Sequence, residues 1–73
     1  MLRIKNNVNL KELEKFGMFK RCNYYTKENE YNIEVISVIE DERTLEDLCD
    51  NTAIDTLYDL IQAGLVEKVD DNK

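Results

Sequence analysis

Apolar residues recur along this chain with two different periods, and each period predicts an element. Ile54, Leu57, Tyr58 and Ile61 fall at i, i+3, i+4 and i+7 with Asp55, Asp59 and Gln62 opposite, the pattern of an amphipathic helix whose apolar stripe, Tyr58 included, faces a core. Thr52 followed by Asp55 has the spacing of an N-cap and an acidic N3 residue, and Gly64 suits the left-handed position that ends a helix. Thr44 with Asp47 repeats that spacing and predicts a second, brief helix start. A period of two marks the strongest strand, Tyr31 to Ile39. Ile33, Val35, Ser37 and Ile39 share one face while Ile36 and Val38 put apolar groups on the other, so this strand is expected at the centre of a sheet, covered at least partly on both sides. Glu40, Asp41 and Glu42 end it, because adjacent like charges repel one another inside a sheet.

The remaining segments give weaker patterns. Leu2 and Ile4 alternate with Arg3 and Lys5, which predicts a short edge strand within Leu2 to Val8. Asn9 with Glu12, Leu10 with Leu13, and Gly17 then delimit a short helix over 10–16. From Met18 to Tyr25 aromatic and polar residues mix without helical spacing, and Thr26 to Glu30 reads as a hairpin loop. Leu65 to Val69 resembles a final strand and Asp70 to Lys73 a frayed tail. The resulting order, β-α-β-β-α-β, predicts one α+β domain over 1–73, with two or three short helices and a small, mostly antiparallel sheet that carries helices on one face.

Composition narrows the function classes. At 73 residues the chain buries only about 60% of the surface its unfolded form exposes, so its core is thin and a partner or second copy would add stability. No apolar run reaches the roughly 18 to 20 residues of a membrane span, and the first residues lack the apolar stretch of a signal peptide, so a cytoplasmic protein is expected. There is no His, a single Ser (Ser37), and two Cys. Cys22 and Cys49 lack the spacing of a zinc or redox motif and read as small core residues. Cys49 lies among the acids Glu46, Asp47 and Asp50, and Arg21 and Lys20 beside Cys22 project differently along a strand, so neither thiol has the cationic neighbour or His that a nucleophile needs. The carboxylates from Glu40 to Asp50 do not follow the EF-hand pattern, and both glycines are used as helix caps, leaving none for a phosphate loop. A non-enzymatic protein without cofactor or dedicated metal is expected.

Charge supplies the positive lead. Residues 1–39 hold seven bases against five acids, whereas residues 40–73 hold three bases against eleven acids, for a net charge of −6. Glu40, Asp41, Glu42, Glu46, Asp47, Asp50, Asp55 and Asp59 lie close in sequence, mostly at positions predicted to face away from the core, and are the candidate partner-binding residues. Such an acidic helical face would enter a basic groove made for nucleic acid and gain on-rate by electrostatic steering. A second reading places direct nucleic-acid contact on Lys20, Arg21, Tyr24, Tyr25 and Lys27, where bases and aromatics interleave, against the unfavourable overall charge. A third is a homodimer in which a second copy completes the core.

Two resemblances bear on these readings. Leu57-Tyr58-Asp59-Leu60-Ile61-Gln62-Ala63-Gly64-Leu65-Val66-Glu67 resembles the helix-to-wing passage of winged-helix proteins, yet no Lys or Arg stands between Ala53 and Ala63 to contact DNA. Ile4-Lys5-Asn6-Asn7-Val8-Asn9-Leu10-Lys11-Glu12-Leu13-Glu14-Lys15-Phe16-Gly17 and Asp55-Thr56-Leu57-Tyr58-Asp59-Leu60-Ile61-Gln62-Ala63-Gly64-Leu65-Val66-Glu67-Lys68-Val69 look like the two ends of small accessory proteins of phages and prophages of Gram-positive bacteria. That resemblance implies a role in the host cytoplasm as an inhibitor of a bacterial defence protein, including the anti-CRISPR class. Its partner would then be a protein with a basic groove, such as a Cas nuclease.

Overall fold

The computed structural model describes residues 1–69, so the predicted tail Asp70 to Lys73 lies outside the described residues. In chain order the elements are β1 (Leu2–Ile4), a 3-10 helix (Leu10–Phe16), β2 (Phe19–Arg21), β3 (Tyr24–Glu28), β4 (Glu34–Ile39), β5 (Leu45–Asp47), α1 (Asn51–Gln62) and β6 (Val66–Lys68). Strands β2-β3-β4-β5 form one antiparallel sheet and β1-β6 another. A bridge between Arg3 and Thr44, with Ile4 N–H donating to the Arg43 carbonyl at 2.8 Å, fastens the small sheet to the large one. The class is α+β, as expected, but the strands form two antiparallel sheets rather than the single sheet predicted, and the element order differs from the prediction in two places.

The first difference is a hairpin inside Met18 to Glu28. Cys22 takes a positive φ of 32° and reverses the chain, so β2 and β3 pair where a single strand was expected. Thr26 to Glu28 belong to β3 rather than to a loop. Thr26 is fully buried, and its hydroxyl donates to the Ile36 carbonyl at 3.0 Å, which satisfies a polar group that local composition assigned to solvent. The true loop is 29–33, where Asn29 Oδ1 accepts from the Tyr31 and Ile33 amides at 2.8 and 3.1 Å. Those amides are thereby withdrawn from the ladder, so β4 starts at Glu34 and Tyr31 and Ile33 stand exposed.

The second difference is β5, which replaces the predicted first helix start. Asp47, Glu46 and Leu45 pair with Ile36, Ser37 and Val38, so the Thr44 to Asp47 segment is strand and bridge. A cap motif on so short a segment gains at most one or two hydrogen bonds, and the open edge of β4 offers a full ladder. The cap of α1 is Asp50, not Thr52: its Oδ1 accepts from the Thr52 amide at 2.7 Å. The other caps follow the sequence, with Asn9 opening the 3-10 helix and Gly17, at φ 87°, closing it. Gly64 takes φ 79° just past α1.

Ile4, Leu13, Met18, Tyr25, Val35, Ile36, Val38, Ala53 and Leu60 form the core. The register places Tyr25, Ile36 and Val38 on one face of the large sheet, and the 3-10 helix (through Leu13) and α1 (through Ala53 and Leu60) cover that face. Here α1 departs from the predicted stripe. Ala53, Thr56 and Leu60 are buried and Leu57 is half-buried, whereas Ile54, Tyr58 and Ile61 are 53%, 61% and 46% exposed. Two stripes compete on this helix, and the one with the smaller residues is buried because a thin layer has little room for Tyr58 and two Ile side chains. Thr56 is buried even though its hydroxyl finds no hydrogen-bond partner, so fit outweighed polarity. Cys22 and Cys49 are exposed, not core, because each sits where the chain turns between elements.

Candidate functional site

The eight predicted partner-binding carboxylates do not share one helical face. Glu40, Asp41 and Glu42 occupy the turn after β4, Glu46 and Asp47 lie on β5, Asp50 caps α1, and only Asp55 and Asp59 stand on the helix. Two of the eight are engaged within the molecule. Glu40 pairs with Lys20 at 3.1 Å, and Asp50 accepts from Thr52 through one oxygen and from Asn29 Nδ2 through the other at 3.1 Å. The Asn29 amide first, and the Thr52 backbone N–H after it, hold the Asp50 carboxyl below the usual aspartate range. Asp41, Glu42, Glu46, Asp47, Asp55 and Asp59 are exposed and enter no ion pair among the described residues.

The basic and aromatic candidates are arranged in the opposite way. Alternation along β2 and β3 sends Arg21 and Tyr24 to the open face of the sheet, while Tyr25 is buried and Lys20 and Lys27 lie on the other side. No continuous stacking platform results. Arg21 is also occupied: it meets Glu28 at 3.0 Å and Glu34 at 2.7 Å, and its guanidinium lies 5.0 Å from the Phe19 ring centroid. Tyr24 donates to Glu34 at 3.0 Å, and this hydrogen bond, ahead of desolvation and the carboxylate charge, pushes its phenol up. The hydrogen bond that Lys20 donates to Glu40, ahead of the charge of that carboxylate, likewise raises the Lys20 ammonium. Lys27 donates to the Phe16 carbonyl at 3.1 Å, and Arg43 Nη1 donates to the Lys5 and Val8 carbonyls at 2.8 and 2.6 Å.

What the sequence pattern missed is the outward stripe of α1. Ile54, Tyr58 and Ile61 repeat at i, i+4 and i+7, with Asp55 and Asp59 beside them, and no basic residue stands in the last turn. A usable signal was present in Ala53, Thr56 and Leu60, which supply an alternative stripe of smaller residues. Because the helix is anchored by its inner side, this outer stripe is held in a defined position.

Other features offer less. An open cleft of about 740 Å³ runs beside Asn6 to Lys11, Lys20, Tyr25 and Arg43, but its Lys20 and Glu40 neutralise each other and Arg43 Nη1 is taken up by two carbonyls. Among the described residues no group of three or more Cys, Asp or Glu side chains converges as a metal-ligand set. None of the described helices is long and apolar enough to cross a membrane. Beyond Gly64 the chain enters β6, which pairs with β1, and α1 is the one α-helix among the described residues, so the helix-turn-helix of a winged-helix domain does not form there. Comparison with protein-family models, with curated proteins and with solved structures yields no match.

Proposed function

We propose that this protein is a non-enzymatic inhibitor of a bacterial defence protein, of the phage-carried, anti-CRISPR type, which occupies a basic nucleic-acid groove of its target with its acidic half. One observation carries the reading: six exposed carboxylates of that half make no ion pair among the described residues, while Arg3, Lys15, Lys20 and Arg21 elsewhere are held by carboxylates of the molecule itself. Its outward field is therefore set by acids that stand ready to meet a cation. The interface spans the β4–β5 turn, β5 and α1, a broader surface than a single helix. A Cas nuclease, with its positive channel, has the required chemistry.

The same contrast weighs against direct nucleic-acid binding through β2 and β3, since Lys20 and Arg21 are held by carboxylates and Lys27 by the Phe16 carbonyl. Lysine substitution at Asp41, Glu42, Glu46, Asp47, Asp55 and Asp59 tests the proposal, with Asp50 left intact because it caps α1. The native protein is expected to capture a nucleic-acid-binding effector from lysate containing CRISPR effector complexes and to displace its nucleic acid. The folded variant is expected to do neither. Undiminished capture by the variant, or capture of nucleic acid alone by the native form, overturns the reading.

A further inference from the structure

We infer that the outward stripe of α1, Ile54, Tyr58 and Ile61, anchors this interface and seats in an apolar groove rimmed by Lys or Arg on a protein partner, so that recognition is of the helix-in-groove kind. The inference rests on the proposed acidic interface and adds the contact that charge alone does not provide.

The spacing is that of an anchor set. With a rise of about 1.5 Å per residue, positions i, i+4 and i+7 form a line roughly 10 Å long on one side of a helix. Tyr58 stands at its middle, an aromatic with the large, stiff contact area typical of interface hot spots, and it is 61% exposed. The stripe is also presented rigidly. Asp50 caps one end of α1, the Leu65 amide donates to the Leu60 carbonyl at 3.2 Å past the other, and Ala53 and Leu60 fix the inner side. Little backbone entropy remains to be lost on docking, so the cost of ordering falls on the three side chains.

Charge identifies the occupant. Asp55 and Asp59 flank the stripe one turn apart, α1 contains no Lys or Arg, and its C-terminal turn, the negative pole of the helix dipole, has no base to offset it. A second copy docked helix to helix would bring these acids together without a cation from either helix, and a nucleic acid would bring phosphates to the same place. A groove with an apolar floor and a basic rim matches both the stripe and its flanks.

The test uses a fluorescent two-heptad amphipathic peptide of leucine and lysine as probe, with an alanine and lysine peptide of equal charge as control. The native protein is expected to bind the leucine peptide about tenfold more tightly than the control, and Tyr58→Ala, with an unchanged circular dichroism spectrum, to erase that difference. Asp55→Lys with Asp59→Lys is expected to weaken both peptides. Equal binding of the two peptides, or an unaffected Tyr58→Ala, overturns the apolar anchor; the acidic interface survives if the lysine double variant still loses affinity. Unchanged affinity of that double variant overturns the acidic interface and the anchor together. Concentration-dependent dimerisation in sedimentation, abolished by Tyr58→Ala, overturns the anchor in favour of a second copy.

Discussion

The open face of the large sheet and the outer side of α1 are both solvent-facing, yet their charged groups are used differently. On the sheet, Arg21 is shared between Glu28 and Glu34, Tyr24 donates to Glu34, and the Ser37 hydroxyl donates to Thr26 at 3.1 Å. On α1, Asp55 and Asp59 enter no ion pair among the described residues and flank three exposed apolar side chains. The sheet face satisfies itself and so offers a partner little. The helix face leaves both its charge and its apolar surface for another molecule to satisfy, which is why the functional proposal lies there.

The sharpest way to break the comparison is to truncate both sides of α1. Leu60→Ala, on the fully buried inner side, is expected to cost about 2–5 kcal/mol in urea unfolding, a large part of the stability of so small a domain. Tyr58→Ala, on the outer side, should stay within about 0.5 kcal/mol of the parent, and a comparable loss would mean that the outer stripe is packed after all. A smaller effect is expected from Asp50→Ala, which removes the cap of α1 and the tie to the Asn29 loop. The folded pKa of Asp50 is depressed, so its contribution is complete above the ordinary aspartate value and is lost as the pH falls through the lowered one. Thermal unfolding of Asp50→Ala should therefore show a lower midpoint near neutral pH and a gap to the parent that closes on acidification. The smallest effect concerns the sheet face: Glu34→Ala should bring the Tyr24 phenol back down toward its ordinary value, followed by the NMR titration of its ring, with the fold intact. A Tyr24 titration that does not move would show that Glu34 does not set this network.

Several elements were legible because their signals act over a few residues. Asn9 and Gly17 delimit the 3-10 helix, Gly64 stands just beyond α1, and the double-sided apolar run of β4 marks an interior strand. β5 and the extension of β3 through Glu28 were not legible, since their polar residues are strand only by virtue of the neighbours they pair with. The candidate site was legible as an excess of acid in residues 40–73 and not as a surface.

The caps of the 3-10 helix, the left-handed glycines Gly17 and Gly64 and the charge asymmetry between halves depend on single residues and near neighbours or on composition alone, so the sequence determined them by itself. Only the tertiary structure decided which side of α1 went inward, because Leu57 belongs to either stripe and the space left by the sheet and the 3-10 helix admitted Ala53, Thr56 and Leu60 rather than Ile54, Tyr58 and Ile61. Only the tertiary structure, too, decided which charges were consumed, since pairs such as Arg3 with Glu67 and Lys20 with Glu40 join segments far apart in the chain. Packing and ion pairing depend on which distant residues share a volume, and no local pattern carries that information.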